Sequence, residues 1–120
     1  MTSSTPEQFF IDSPAGLAVF RAVAGAVAAL GPAETRVGRS QIAFRRRRGF
    51  AFVWRPGLYV RSDVPAVLSF ALPYEVRSAR IKQVVHPAAT VWMHHAELHD
   101  PDQIDDEVRD WLAAAYAGAG

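Results

Sequence analysis

The sequence predicts a single α+β domain over residues 1–120, with a three- to four-stranded antiparallel sheet and with N-terminal and C-terminal helices packed on one face of it. Three observations favour this fold class. Segments with helical periodicity lie at both ends of the chain, and β-rich segments lie between them. The length of 120 residues suits one domain with its own core. No low-complexity linker and no internal repeat divides the chain.

Two helix-start signals lie near the N terminus. Thr5-Pro6-Glu7-Gln8 reads as a capping box that opens a short helix through Ile11, so residues 1–13 form a short helix or an arm. Ser13-Pro14 starts a longer helix that ends at Gly31-Pro32. The apolar residues of this second helix have helical spacing: Leu17, Phe20, Val23, Val27 and Leu30.

Four segments in the middle of the chain are predicted to be strands. Residues 41–45 and 50–54 form a hairpin across a short turn that contains glycine. Residues 66–72 are apolar on both faces, which is typical of a central strand, and residues 90–98 form the last strand. Residues 77–86 fit either one helical turn or an irregular strand, and both readings stay open.

A second capping box, Asp100-Pro101-Asp102-Gln103, is predicted to open the C-terminal helix. Acidic residues crowd its first turns, where they favour the positive end of the helix dipole. Its apolar residues give the clearest helical periodicity in the chain: Ile104, Val108, Trp111, Leu112, Ala115 and Tyr116.

Composition excludes several classes of protein. The chain has no cysteine, so disulfides, thiolate catalysis and cysteine-ligated metal centres are excluded. The first residues carry no basic and apolar signal pattern, and the most apolar run is too short and too interrupted to span a membrane. We therefore expect a cytoplasmic protein that does not contact membranes and that carries no cofactor.

The formal net charge of +1 conceals a strong segregation. Residues 1–33 sum to −1. Residues 34–90 hold eleven basic and three acidic residues, a charge of +8, and residues 91–120 sum to −6. The acidic last helix either lies across the basic strands or faces away from them, and the sequence leaves both arrangements open.

Three segments in this order resemble an uncharacterised bacterial family, the domain of unknown function numbered 5655. They are residues 39–56, which include the arginine run, Trp92-Met93-His94-His95-Ala96-Glu97-Leu98, and the helix from Ile104 to Tyr116. The resemblance covers the chain from about Leu17 onward. It implies a small α+β domain that occurs alone or attached to larger proteins of DNA-processing character. It implies no catalytic residues.

The basic segment is the first candidate site. Arginine forks match phosphate oxygens, and neighbouring aromatic rings stack on bases, so the segment is a candidate contact for nucleic acid or another anionic ligand. We assign the arginines as anion contacts, the tryptophans as aromatic walls and the histidine as an orienting hydrogen-bond partner. The residues are Arg39, Arg45, Arg46, Trp54, Trp92 and His94. The competing reading is a solvated or internally paired turn, with Phe50, Phe52 and Trp54 on one core face.

The histidine strand is the second candidate. His95, Glu97 and His99 share one face of an extended strand and His94 shares the other with apolar residues. His95 and Glu97 are candidate metal ligands, but His99 lies about 13 Å from His95 on a straight strand, and no third ligand is identifiable. We therefore expect no metal site, and we expect His94 to be a core histidine.

Two further readings stay open. The first is a small enzyme that acts on an anionic molecule with His94 or His95 as general base, which a histidine beside a carboxylate in a pocket would favour. The second is a homodimer formed through the alanine-rich face of the long helix. The reading that we favour is a small binding module without enzymatic activity.

Overall fold

The computed structural model describes residues 5–58 and 60–120 of the protein. The described residues form three helices, six strands and two short 3-10 turns. The helices are α1 (Pro6–Phe9), α2 (Pro14–Ala28) and α3 (Asp106–Gly118), and the 3-10 turns are Pro56–Leu58 and Pro101–Gln103. The strands are β1 (Glu34–Val37), β2 (Ile42–Arg45), β3 (Gly49–Trp54), β4 (Ala66–Leu72), β5 (Gln83–Ala88) and β6 (Val91–Leu98).

The two predicted helix starts near the N terminus are confirmed. The hydroxyl of Thr5 accepts a hydrogen bond from the backbone N–H of Gln8, and the Gln8 side chain accepts one from the backbone of Thr5. Ser13 caps α2 by accepting from the N–H of Gly16. No helix among the described residues is long and apolar enough to cross a membrane.

All six strands belong to one antiparallel sheet with the order β1-β2-β3-β4-β6-β5. The α+β class is confirmed, but the expectation of three to four strands is wrong. The two additional strands, β1 and β5, lie at the two edges of the sheet. Most of their residues are exposed, so they need no alternation of apolar residues, and this is the pattern on which strand prediction depends.

Helices α2 and α3 cover the same face of the sheet. Phe20 of α2 stacks on Phe44 of β2, and Trp111 of α3 stacks on Phe70 of β4. Phe44 and Phe70 are both cross-strand partners of Ala51, and cross-strand partners point to the same face. The core therefore lies between this face and the two helices, and the opposite face is called the open face below.

A bulge in the β2–β3 hairpin changes which residues of β3 reach the core. The register shifts between Phe44, which pairs with Ala51, and Arg45, which pairs with Gly49. As a result Phe50 and Ala51 are both buried. Phe52 and Trp54 point to the open face, because their partners Ser69 and Val67 alternate with the core residues of β4. The expectation that Phe50, Phe52 and Trp54 share one core face is therefore wrong.

The last helix begins later than predicted. Asp100 does form a capping box, but the box caps the 3-10 turn Pro101–Gln103. Ile104 then leaves helical geometry, with φ −82° and ψ 73°, and Asp105 caps α3. The predicted apolar stripe is confirmed, since Tyr116 is half-buried and the other members are buried: Ile104, Val108, Trp111, Leu112 and Ala115.

The first turn of α2 approaches a neighbouring backbone closely at Gly16. A Cβ atom there would lie 2.5 Å from the Phe10 ring and 2.9 Å from the carbonyl oxygen of Pro65. We expect Gly16→Ala to lower the free energy of unfolding by about 1–3 kcal/mol through overpacking. The matched control is Gly25→Ala in the same helix, where no atom lies within 4 Å. Helix propensity predicts that this control gains about 0.5–1 kcal/mol. Urea unfolding of both variants is the measurement, and shifts of the same sign would contradict the packing described here.

Candidate functional site

The open face carries a trough that runs along the central strand β4. Its floor is formed by the small side chains of β4, with Ser69 at the middle. One wall consists of Phe52 and Trp54 from β3, and the other consists of Met93 and His95 from β6. The cavity has a volume of about 320 Å³, and its end is lined by Ser40 and Gln41. We call this feature the trough.

A chain of hydrogen bonds crosses the trough from wall to wall. Trp54 Nε1 donates to Ser69 Oγ at 2.9 Å, and Ser69 Oγ lies 2.6 Å from His95 Nδ1. An indole N–H can only donate, so the serine hydroxyl accepts from Trp54, and we assign the hydroxyl proton to the bond with His95 Nδ1. Neutral His95 then carries its hydrogen on Nε2, and this nitrogen has no hydrogen-bond partner among residues 5–58 and 60–120.

The surroundings of His95 favour its neutral form. Burial lowers the pKa of His95 below the ordinary value of 6.5, and the neighbouring His94 lowers it further. Near pH 7 the ring is therefore uncharged. The trough thus presents an uncharged N–H donor beside two aromatic rings.

His94 lies on the opposite face, in the core. Its Nε2 accepts a hydrogen bond from the backbone N–H of Val76 at 2.9 Å, and its Nδ1 lies 3.4 Å from the carbonyl oxygen of Phe70. The imidazole is fully buried and stacks on the Phe70 ring at 4.8 Å. Burial lowers the pKa of His94. This histidine therefore holds the segment after β4 in place, and both of its nitrogens are engaged.

The structure separates the two tryptophans that the sequence assigned to one site. Trp54 lies in the trough on the open face. Trp92 pairs with the core residue Leu72 across the sheet, and it stacks on His86 at 3.6 Å. Trp92 and His94 are thus on the helix side of the sheet, and Trp54 is on the other side.

The arginine run forms a tight connection between β2 and β3 that binds the end of α3. We call Arg46, Arg47 and Arg48 the arginine turn. Arg46 Nη1 donates to the carbonyl of Tyr116 at 2.8 Å, and its guanidinium lies 4.1 Å from the centre of the Tyr116 ring. Arg48 Nη2 donates to the carbonyl of Gly118 at 2.9 Å. The last carbonyls of a helix lack partners within the helix and carry its negative dipole end, so these bonds stabilise α3.

The ion pairs divide the cations into two groups. The first group pairs with carboxylates within 4.0 Å and comprises Arg21, Arg36, Arg45, Arg55, Arg77, Arg80 and Arg109. In the described part of the chain, the second group has exposed side chains and no carboxylate within this distance, and it comprises Arg39, Arg61, Lys82 and the arginine turn. Arg45 belongs to the first group, but its contact with Glu34 is long, at 3.8 Å.

The basic and acidic segments meet at the start of α3. Arg80 contacts Asp105 at 2.8 Å and Glu107 at 3.2 Å, and it donates to the carbonyl of Gln103 at 2.7 Å. The hydrogen bond from Arg80 is the main cause that lowers the pKa of Asp105. Internal pairing therefore accounts for part of the charge segregation, but it does not reach the arginine turn.

His95 and Glu97 both lie on the open face, as their phase in the strand predicted. Among the residues that the structure describes, no group of three or more potential metal ligands is present. The Nδ1 of His95 is already engaged by Ser69. The structure therefore adds no third ligand to this candidate pair.

The Ser69–His95 contact has the residue types of a hydrolase dyad but not its arrangement. A serine nucleophile needs access to the substrate, and its histidine is oriented by a third group on the far ring nitrogen. Ser69 is only 3% exposed and accepts from Trp54, and no carboxylate of the described residues holds the far nitrogen of His95. The arrangement fixes a hydrogen-bond donor in place, which suits binding.

The fold and this surface define a small α+β domain whose helices cover one sheet face and whose other face bears a trough. The chain belongs to the family described as Domain of unknown function (DUF5655), since the family model matches residues 7–118. The resemblance seen in the sequence is thereby confirmed. A comparison with the curated proteins and with the solved structures found no match.

Sequence reasoning missed Ser69, which is the centre of the trough. A signal for it was present, because Ser69 is the only polar residue in the otherwise apolar strand Ala66–Leu72. A lone hydroxyl in a buried strand needs a hydrogen-bond partner. The partners come from β3 and β6, and strand order was needed to identify them.

Proposed function

We propose that the protein is a small binding module that contacts the phosphate groups of single-stranded nucleic acid through the arginine turn. The observation that carries the proposal is the group of three exposed guanidinium groups without a carboxylate neighbour. Arginine presents a planar fork of donors that matches phosphate oxygens. Arg39 and Arg45 add positive charge at other positions of the β1–β3 region.

The contacts of the arginine turn with α3 support this role. The partners of Arg46 and Arg48 are backbone carbonyls, which orient the side chains without cancelling their charge. The backbone N–H of Arg47 donates to the carbonyl of Ala119 at 2.9 Å, so the turn itself is anchored. A side chain that is already held in place loses less conformational entropy when it binds a ligand.

Single strands suit the fold better than a duplex. The open face carries Phe52 and Trp54, and aromatic side chains on a sheet surface are a recurring platform for unpaired bases. The helices of this protein are on the other side of the sheet, where they pack on the core. The proposal therefore assigns phosphates to the arginine turn and leaves bases to the sheet.

The test is fluorescence anisotropy with a short labelled single strand at several salt concentrations. We expect binding that weakens as the salt concentration rises. We expect Arg47→Ala to reduce the affinity and to lower the slope of log affinity against log salt concentration by about one, which corresponds to one lost phosphate contact. Arg47 is the cleanest position, because its side chain has no partner among the described residues. The matched control is Arg21→Ala, an exposed arginine of α2 that pairs with Glu7 at 3.1 Å.

Two results would overturn the proposal. One is the absence of binding at low salt. The other is an equal effect of Arg47→Ala and Arg21→Ala, because an effect of net charge alone would not distinguish these positions. The melting temperature of each variant, measured in parallel, separates loss of binding from loss of folded protein.

A further inference from the structure

The trough differs from the arginine turn in charge. Burial favours the neutral form of His95, so no side chain among the described residues that line the cavity is charged near pH 7. Its walls are two aromatic rings, a thioether and an imidazole, and the Trp54 and His95 rings meet edge to face at 6.2 Å. Such walls favour a flat and uncharged ring. The lining residues are Ser40, Gln41, Phe52, Trp54, Ser69, Met93 and His95.

The hydrogen-bond chain gives the trough a defined polarity. With the Ser69 proton assigned to His95 Nδ1, the hydrogen of neutral His95 resides on Nε2. A ligand beside His95 therefore meets a donor and must supply an acceptor. Gln41 can offer both a donor and an acceptor from its amide group.

We propose that the trough holds one nucleobase, whose ring packs on the Phe52 and Met93 side chains and whose edge accepts a hydrogen bond from His95 Nε2. Trp54 and Ser69 are positioning residues for this donor. The ring supplies the flat apolar surface, and its carbonyl oxygen or ring nitrogen supplies the acceptor. The identity of the ring as a nucleobase rests on the proposed function, whereas the requirement for an uncharged ring with an acceptor rests on the trough alone.

The arginine turn is close enough to serve the same strand of nucleic acid. Met93 lines the trough and also lines a second cavity of about 200 Å³ that Arg48 borders. Arg48 lies just before β3 and four residues from Phe52, which is about 13 Å in an extended chain. A strand of a few nucleotides can place a phosphate on the arginine turn and a base in the trough.

The experiment titrates free nucleosides into isotope-labelled full-length protein and follows nuclear magnetic resonance signals. Nucleosides carry no phosphate, so they report on the trough without the arginine turn. We expect at least one of the four common nucleosides to shift the Trp54 indole N–H and the His95 ring signals, and we expect ribose alone to leave them unchanged. The long-range nitrogen–proton spectrum of the free protein should place the His95 hydrogen on Nε2.

Variants define the role of the hydrogen bond. His95→Leu removes the donor, and Ser69→Ala removes the hydroxyl that orients the His95 ring. Each variant is expected to weaken nucleoside binding by about three- to tenfold. The control is His86→Leu, which removes an exposed histidine that stacks on Trp92 outside the trough. This control should bind nucleosides as the unmodified protein does.

The outcomes separate this proposal from the previous one. If oligonucleotides bind but no nucleoside shifts the trough signals, the trough proposal is wrong and the arginine turn stands. If nucleosides bind but oligonucleotides show no dependence on salt, the arginine turn is wrong and the trough stands. The trough proposal would also be wrong if the His95 hydrogen resides on Nδ1, or if ribose shifts the Trp54 and His95 signals as much as the nucleosides do.

Discussion

Replacing Phe70 with alanine is expected to lower the free energy of unfolding by about 3–5 kcal/mol. Phe70 is fully buried at the centre of β4, and its ring stacks between two others. The His94 ring lies 4.8 Å away on one side and the Trp111 ring lies 5.1 Å away on the other. Truncation therefore opens a cavity between the sheet and α3. It also removes two ring contacts, which stabilise the fold beyond the burial of apolar surface.

Chemical denaturation of the variant measures this loss. The matched control is Phe52→Ala, which removes the same ring from the open face, where the side chain is only partly buried. We expect the control to lose markedly less stability, since less apolar surface returns to water. Equal losses at the two positions would mean that the core is not confined to the helix-covered face.

Replacing His94 with leucine is the second large effect that we expect. The leucine keeps the site apolar but removes the acceptor of the Val76 N–H bond. The Val76 N–H is partly buried, and a donor shielded from water that loses its partner costs up to about 1–3 kcal/mol. We therefore expect His94→Leu to be destabilised at pH 7.5, and we expect hydrogen exchange at the Val76 amide to accelerate.

The same variant should alter the pH dependence of stability. Burial lowers the pKa values of His94 and His95 below 6.5, so the unfolded chain takes up protons first as the pH falls. The stability of the unmodified protein is therefore complete above about pH 6.5 and declines below it. The lowered pKa values of Glu7 and Asp105 act only at lower pH, because their ordinary values are 4.5 and 3.8.

Thermal unfolding between pH 7.5 and pH 5.5 isolates the histidines. In His94→Leu, the loss of stability between pH 7.5 and pH 5.5 should be smaller than in the unmodified protein. In the double variant His94→Leu/His95→Leu, most of this loss should disappear. A decline that is unchanged in the double variant would show that other groups cause it. The control His86→Leu should retain the full decline.

Local signals predicted most of the fold. The capping residues Thr5 and Ser13, the apolar stripe of α3 and the apolar run of β4 each depend on neighbours in sequence, and the structure confirms them. The edge strand β1 was missed, and the sequence did not decide between a helical turn and an irregular strand for β5, because both strands are exposed on most of their length and carry no strong pattern. Their existence depends on pairing with β2 and β6, which is a property of the whole sheet.

The site was less predictable than the fold, because it depends on which face each strand presents. The phase of β6 was read correctly, with His94 inward and His95 outward. The phase of β3 was not, since a single bulge beside Arg45 moves Trp54 to the open face. The alternation of apolar and polar residues shows which face each side chain takes only where the strand pairing has no bulge. The position of a bulge cannot be read from this alternation.

Helix α3 follows all six strands in the chain, yet it supplies one side of the core. During translation the sheet strands leave the ribosome before the helix that covers them. The nascent chain must therefore keep the apolar face of Phe70 and its neighbours exposed until the segment from Asp106 onward has emerged. Closure of the core therefore follows the synthesis of all the described strands, and the interval before it is when this protein is most exposed to chaperones and proteases.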